Sequence, residues 1–171
     1  VQSLKRVNRE SIVTKIDEIK KEATETVKSI EEKTEEIDRL QESINDHKSL
    51  LEKQKKLDKY NFQLKNKIKE LDNEINFFEE NDSCPTCQQD LDSMFVSNKV
   101  EKQRHKKEEV LEGLEKLEEQ YDSITNRIAE ISTVQSRINE LNKEIISLNS
   151  SLNHSRRGVE DLQSKLDEEV E

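Results

Sequence analysis

This sequence predicts an all-α fold, a long antiparallel coiled-coil hairpin, and three observations carry the prediction. Of its 171 residues, 40% are charged and only 30% hydrophobic, with no Trp, two Gly and one Pro. Apolar residues recur at alternating steps of four and three through both halves. The single proline, Pro85, stands at the middle of the chain. A compact domain needs a wider apolar inventory to offset the entropy of ordering its backbone. This composition suits either a disordered chain or long helices that bury one narrow stripe, and periodicity decides for helices.

The ascending arm, 1–78, carries its stripe on Ile12, Ile16, Ile19, Ala23, Ile30, Ile37, Leu40, Ile44 and Leu51. After a slip at Leu50/Leu51 it continues through Leu57, Leu64, Ile68, Leu71, Ile75 and Phe78. The descending arm, 93–171, runs through Val96, Val100, Val110, Leu114, Leu117, Tyr121, Ile124, Ile128 and Ile131, then from Val134 to Leu166. A mean spacing of about 3.5 residues holds one stripe on one face of a slightly under-wound helix, as a left-handed coiled coil requires. Each arm of roughly 75 residues would reach about 110 Å at ~1.5 Å per residue. Thr26, Lys33, His47, Gln54, Asn61, Gln103 and Lys107 interrupt the seam, weakening it and fixing its register.

Between the arms lies the apex, 79–92, whose turn-forming residues surround a proline that no helix interior accepts. Folding back there sets residue i opposite residue j with i + j near 171. That rule pairs Leu71 with Val100, Leu40 with Ile131, Ile37 with Val134 and Ile12 with Val159, so two independently read stripes superpose. The match fails around Ile44 and Ile128, where a distorted turn or local flexibility is expected.

Other classes are excluded or disfavoured. No apolar run approaches the ~18 residues of a membrane span. The chain opens on Val1 without Met and ends inside a charged helical pattern, and is read as a piece of a larger protein. Two cysteines do not make a secreted disulfide scaffold, so a reducing, intracellular compartment is expected (cytoplasm, or nucleus in a eukaryote). A net charge of −10 speaks against direct DNA binding by the chain as a whole.

The apex holds Cys84-Pro85-Thr86-Cys87. Two thiolates at this spacing can share one tetrahedral metal ion, at ~2.3 Å each for zinc. A closed structural site needs four ligands. His105, the nearest histidine, lies about 27 Å of helix away at ~1.5 Å per residue. The missing pair is therefore expected from a second copy, giving one zinc per two chains with two-fold symmetry. A redox-active or disulfide-forming pair, and an inert turn, are the other readings of the same motif.

A Cys-Pro-x-Cys at the apex of a long heptad hairpin resembles the zinc hook of the SMC-like ATPases of DNA double-strand-break repair and recombination, which include the SbcC type and the large subunits of phage recombination nucleases. The resemblance implies that Cys84 and Cys87 bind zinc and that a homodimer forms through the hook. It implies ATPase heads at the far ends of the arms, working with a nuclease subunit on DNA. None of those heads is here: with only Gly113 and Gly158 the chain has no phosphate-binding loop, so it is expected to be structural and not itself an enzyme.

The residues around the motif add two expectations. Pro85 and Thr86 would pack at the dimer tip, and Phe77, Phe78, Met94 and Phe95 would seal the end of the seam or extend the dimer contact. Glu79, Glu80, Asp82, Asp90 and Asp92 would make facing tips repel, so that joining them requires the metal. Farther from the tip, Lys53–Lys69 and Lys99–Lys107 carry twelve basic residues against Asp58 and Glu101, read as a basic belt of net +10. A solvated face is expected of it rather than contact with DNA. The alternatives to a zinc-joined tether are a redox-switched coiled coil and a metal-independent spacer arm.

Overall fold

The computed structural model describes residues 1–170. Helix α1 spans Gln2–Ser43, α2 His47–Glu80 and α3 Ser93–Val170. The protein is all-α: among the described residues the only extended pairing is an isolated bridge between Ser83 and Asp90. None of the helices is long and apolar enough to cross a membrane. The helical part of the first arm runs two residues past its expected end at 78, and α3 starts at Ser93.

Two compact units make up the chain. In the first, residues 1–45 pack antiparallel against the chain from Ile131 onward. Ile12, Ile16 and Leu166 bury one another with Val159 and Leu162 packed on them, and Ile37, Ile138 and Leu141 form a second cluster with Leu40, Ile44, Val134 and Ile145. Polar links flank this seam: Asn8 donates to Glu169 at 2.8 Å, Lys33 pairs with Glu144 at 2.8 Å and Arg137 with Glu36 at 3.4 Å. The Lys33 ammonium, by hydrogen bond and then by charge, holds the Glu144 carboxyl below its ordinary pKa.

The second unit, 46–130, pairs α2 with the first part of α3. Leu71, Ile75, Val100 and Leu117 are its buried apolar residues, and Gln103 is buried among them at 4% exposure. The other interrupting residues, Thr26 to Asn61 and Lys107, are half-buried at the seam, as the heptad pattern requires. Leu50, not Leu51, takes the seam position; Leu51 is 40% exposed. The phase slip therefore falls one residue earlier than the stripe suggested.

The expected distorted turn near Ile44 is present, and on one arm only. Residues 44–46 form a turn between α1 and α2, with Ile44 and Asn45 N–H groups reaching the Gln41 and Glu42 carbonyls at 3.3 Å. Asp46 starts α2, its carbonyl accepting the Leu50 N–H at 3.0 Å, and its carboxylate takes two bonds from Arg127 at 3.1 Å each. That contact is the first cause of a lowered Asp46 pKa. Helix α3 stays unbroken because its seam absorbs the phase change in successive steps of three, Ile128, Ile131 and Val134.

The pairing register differs from the mirror rule. Asn8 with Glu169 and Lys33 with Glu144 in the first unit, and Leu64 with Gly113 in the second, all sum to 177 rather than 171. Part of the offset is the apex, since α2 ends at Glu80 and α3 begins at Ser93, a sum of 173. Side-chain direction adds about two more. Helical side chains lean toward their own N-terminus, so each covers a spot about one residue behind its Cα. In an antiparallel pair the two leans oppose, and contacting partners both move up in number.

This shift corrects the basic belt. Lys107 pairs with Asp72 and Arg104 with Glu79, so the second basic run meets acids of the first arm. Lys53–Lys69, of net +6, lies across from Glu108–Asp122, of net −6, and not from Lys99–Lys107.

Candidate functional site

Both helix ends at the apex are closed by local side chains. The Asn81 amide donates to the Phe77 carbonyl at 2.8 Å as the backbone turns extended, which ends α2. Asp92 caps α3: its Oδ1 accepts the Met94 N–H at 3.0 Å and its carbonyl the Val96 N–H at 2.9 Å. Between them the chain pairs with itself. The Leu91 N–H bonds the Asp82 carbonyl at 2.9 Å, and the Cys84 N–H the Gln89 carbonyl at 2.8 Å.

The Gln88 N–H then reaches back to the Cys84 carbonyl at 2.7 Å, closing a turn over Pro85, Thr86 and Cys87. Closing it requires Gln88 at φ 58°, in the left-handed region where a residue with a Cβ is strained. Both cysteines are free thiols on this one turn, Cys84 half-buried and Cys87 exposed. The backbone N–H of Cys87 and then that of Thr86 aim at the Cys84 sulfur, joined by weaker bonds from the side chains of Cys87 and Thr86. Donors placed on a sulfur favour its thiolate, and they lower the Cys84 pKa from the ordinary thiol value against the opposing effect of desolvation.

The aromatics divide. Phe78 is half-buried and meets Phe77 edge-on at 5.2 Å and Phe95 at 6.4 Å. Met94 and Phe95 stand 73% and 57% exposed beside the turn, and Phe77 is 37% exposed. Of the tip acids, Glu79 is engaged by Arg104 and Asp92 by its capping bond, while Glu80, Asp82 and Asp90 join no ion pair among the described residues.

Sequence reasoning found the two thiols but not the residues that shape their turn. Asp92 was legible as a helix cap, being an Asp just ahead of an apolar-periodic run. Gln88 was not, because nothing in its side chain asks for a positive φ.

The donor set fits a thiolate-loving metal as half of a shell. Zinc takes four sulfur ligands, and one chain offers two. Among the described residues no group of three or more His, Cys, Asp or Glu is placed to hold an ion. The fold and the turn together define an all-helical chain whose second unit carries a dithiol on the turn between its two helices. No protein-family model, curated protein or solved structure matches this chain.

Proposed function

We propose that this chain is a self-joining module, in which two copies meet tip to tip and Cys84 and Cys87 of each hold one shared zinc ion. The observation that carries this reading is the closed turn of residues 84–88, with backbone N–H groups directed at the Cys84 sulfur. Such donors prepare a thiolate ligand before any metal arrives, and they keep its charge tolerable once bound. When bound, zinc supplies four strong bonds that hold the two turns together. Pro85 and Thr86 sit within that contact, and Met94 and Phe95 offer apolar surface at its edge.

Function then follows from joining. Two arms linked at their tips tether whatever stands at their other ends, and on the resemblance to the zinc hook those are ATPase–nuclease complexes acting on DNA breaks. The module itself does no chemistry on a substrate. The N–H groups that favour the Cys84 thiolate would serve a redox pair equally well, which makes a disulfide switch the second reading.

The experiment is sedimentation of the chain at physiological salt, with zinc and with a chelator. Cys84→Ser, Cys87→Ser and chelation are each expected to convert dimer to monomer while far-ultraviolet circular dichroism stays unchanged. Dimers that persist in the double serine variant at that salt would defeat the reading. An internal disulfide in a metal-free monomer would replace it with the switch.

A further inference from the structure

The register separates the two lysine runs in level, yet it leaves part of each on one flank of the 46–130 unit. On α2, Lys53, Lys56, Tyr60 and Lys67 follow one edge at helical spacing, all exposed, with Tyr60 at 52%. On α3, Lys99, Lys102, Lys106 and Lys116 do the same, Lys99 half-buried and the others exposed. Both edges border the same side of the seam. Lys53, Lys56 and Tyr60 line one groove with Gln120 and Ser123, which continue the α3 edge beyond Lys116. Nearer the apex, Lys99 shares a cleft with Phe77, which continues the α2 edge beyond Lys67. On the opposite side, Asp58 and Lys65 meet Glu118 and Asp122.

Of the lysines on this flank only Lys67 has an acidic partner among the described residues, Glu70 at 3.8 Å. The acids beside them are few and mostly engaged. Glu74 accepts from the Gln103 amide, Glu109 meets His105 at 3.3 Å, and Glu119 stands in the groove. With contacts summing to 177, Lys116 is level with residue 61 of α2, Lys106 with 71, Lys102 with 75 and Lys99 with 78. The ammonium groups therefore form one row that starts on α2 and ends on α3, about 37 Å long at ~1.5 Å per residue, with a mean step of about 6 Å. An extended polynucleotide can match that step with one phosphate per lysine.

We propose that this flank binds single-stranded nucleic acid, the lysine row neutralising successive phosphates while Tyr60 and Phe77 offer rings to its bases. A positive track with aromatic side chains set into it is how strands are held without sequence preference. A duplex suits the flank less well, because its phosphates curve away from a straight row and its bases are already stacked. A membrane surface is disfavoured too, since two rings without an apolar stripe give little area to insert. The chain's net charge of −10 does not decide the matter. Charges farther than ~8 Å are largely screened at physiological salt, so the flank acts through its own lysines. The row is complete in one chain, and the inference does not rest on zinc.

The test is fluorescence anisotropy of a labelled oligothymidylate titrated with the full chain, once with zinc and once with chelator. Lys56→Gln, Lys67→Gln, Lys102→Gln and Lys106→Gln together should raise Kd about tenfold or more and reduce the slope of log K against log salt by about 3. Lys48→Gln, Lys55→Gln, Lys65→Gln and Lys69→Gln remove the same charge from the opposite side of α2, and should raise Kd by less than about threefold. Tyr60→Ala should weaken binding about fivefold or more with the salt slope unchanged. Circular dichroism checks that each variant remains helical. Equal losses from the two lysine sets would overturn the proposal, as would no binding, or a duplex bound as tightly as the single strand. Phosphatidylserine vesicles or polyglutamate bound in place of the oligonucleotide would assign the flank to another partner and equally defeat it.

Discussion

The two units of this protein use the same heptad grammar for different ends. The first unit is a paired stretch of helix held by two buried apolar clusters and by Lys33–Glu144 and Arg137–Glu36 across the seam, with Leu4, Val7 and Ile146 left exposed on its surface. The second has a buried seam and cross-arm ion pairs of its own, Arg104–Glu79, Lys107–Asp72 and Arg127–Asp46, and differs in gathering exposed Met94 and Phe95 beside the turn. It also holds the only turn with soft metal donors. The difference between the units thus lies at the apex, where two thiols and two apolar side chains share one short stretch of chain.

The largest expected effects come from the seams. Leu141 and Leu71 are 0% and 1% exposed, one in each unit, and truncating either to Ala should cost about 2–5 kcal/mol. Hydrogen exchange is expected to show Leu141→Ala loosening the first unit and Leu71→Ala the second. Equal loss of protection in both units from either variant would mean that they unfold as one block.

A smaller effect of opposite sign is expected at Gln103. Its amide nitrogen donates to Glu74, but its Oε1 is buried with no partner. Gln103→Leu should stabilise the second unit by about 1–3 kcal/mol, because it removes an unsatisfied buried acceptor. A lowered urea midpoint would show that this oxygen is satisfied in solution.

The Asp46–Arg127 contact at the break should give a modest, pH-dependent term. The folded Asp46 pKa lies below its unfolded value of about 3.9, so its contribution is full above that pH and is lost as pH falls through the folded value. The gap in urea midpoint between wild type and Asp46→Asn should therefore be constant near neutrality and close in acid. A gap that widens in acid would contradict the assigned sign. The smallest effect is at the turn: Gln88→Gly should be neutral or slightly stabilising, by up to about 1 kcal/mol, because glycine adopts φ 58° without strain. A thermal midpoint lowered by this substitution would show that the Gln88 side chain holds the turn.

The sequence made the helices, the central reversal and the phase slip legible, because heptad spacing and a lone proline are local signals. It also isolated Cys84 and Cys87 as the donors. What it hid was three-dimensional. The register moved from 171 to about 177, in part because the helix ends are offset at the apex and in part because side chains lean along their helices, and the same shift dissolved the basic belt into a lysine stripe facing an acidic one. The N–H groups around Cys84 depend on the backbone path through Gln88, which no residue preference announces.

Native mass spectrometry with metal analysis on the zinc-loaded chain tests the central claim most directly. The account predicts a dimer holding one zinc ion, bound through both copies' Cys84 and Cys87. A monomer carrying a full zinc ion, or a zinc-loaded dimer that survives loss of both cysteines with its metal in place, would contradict it.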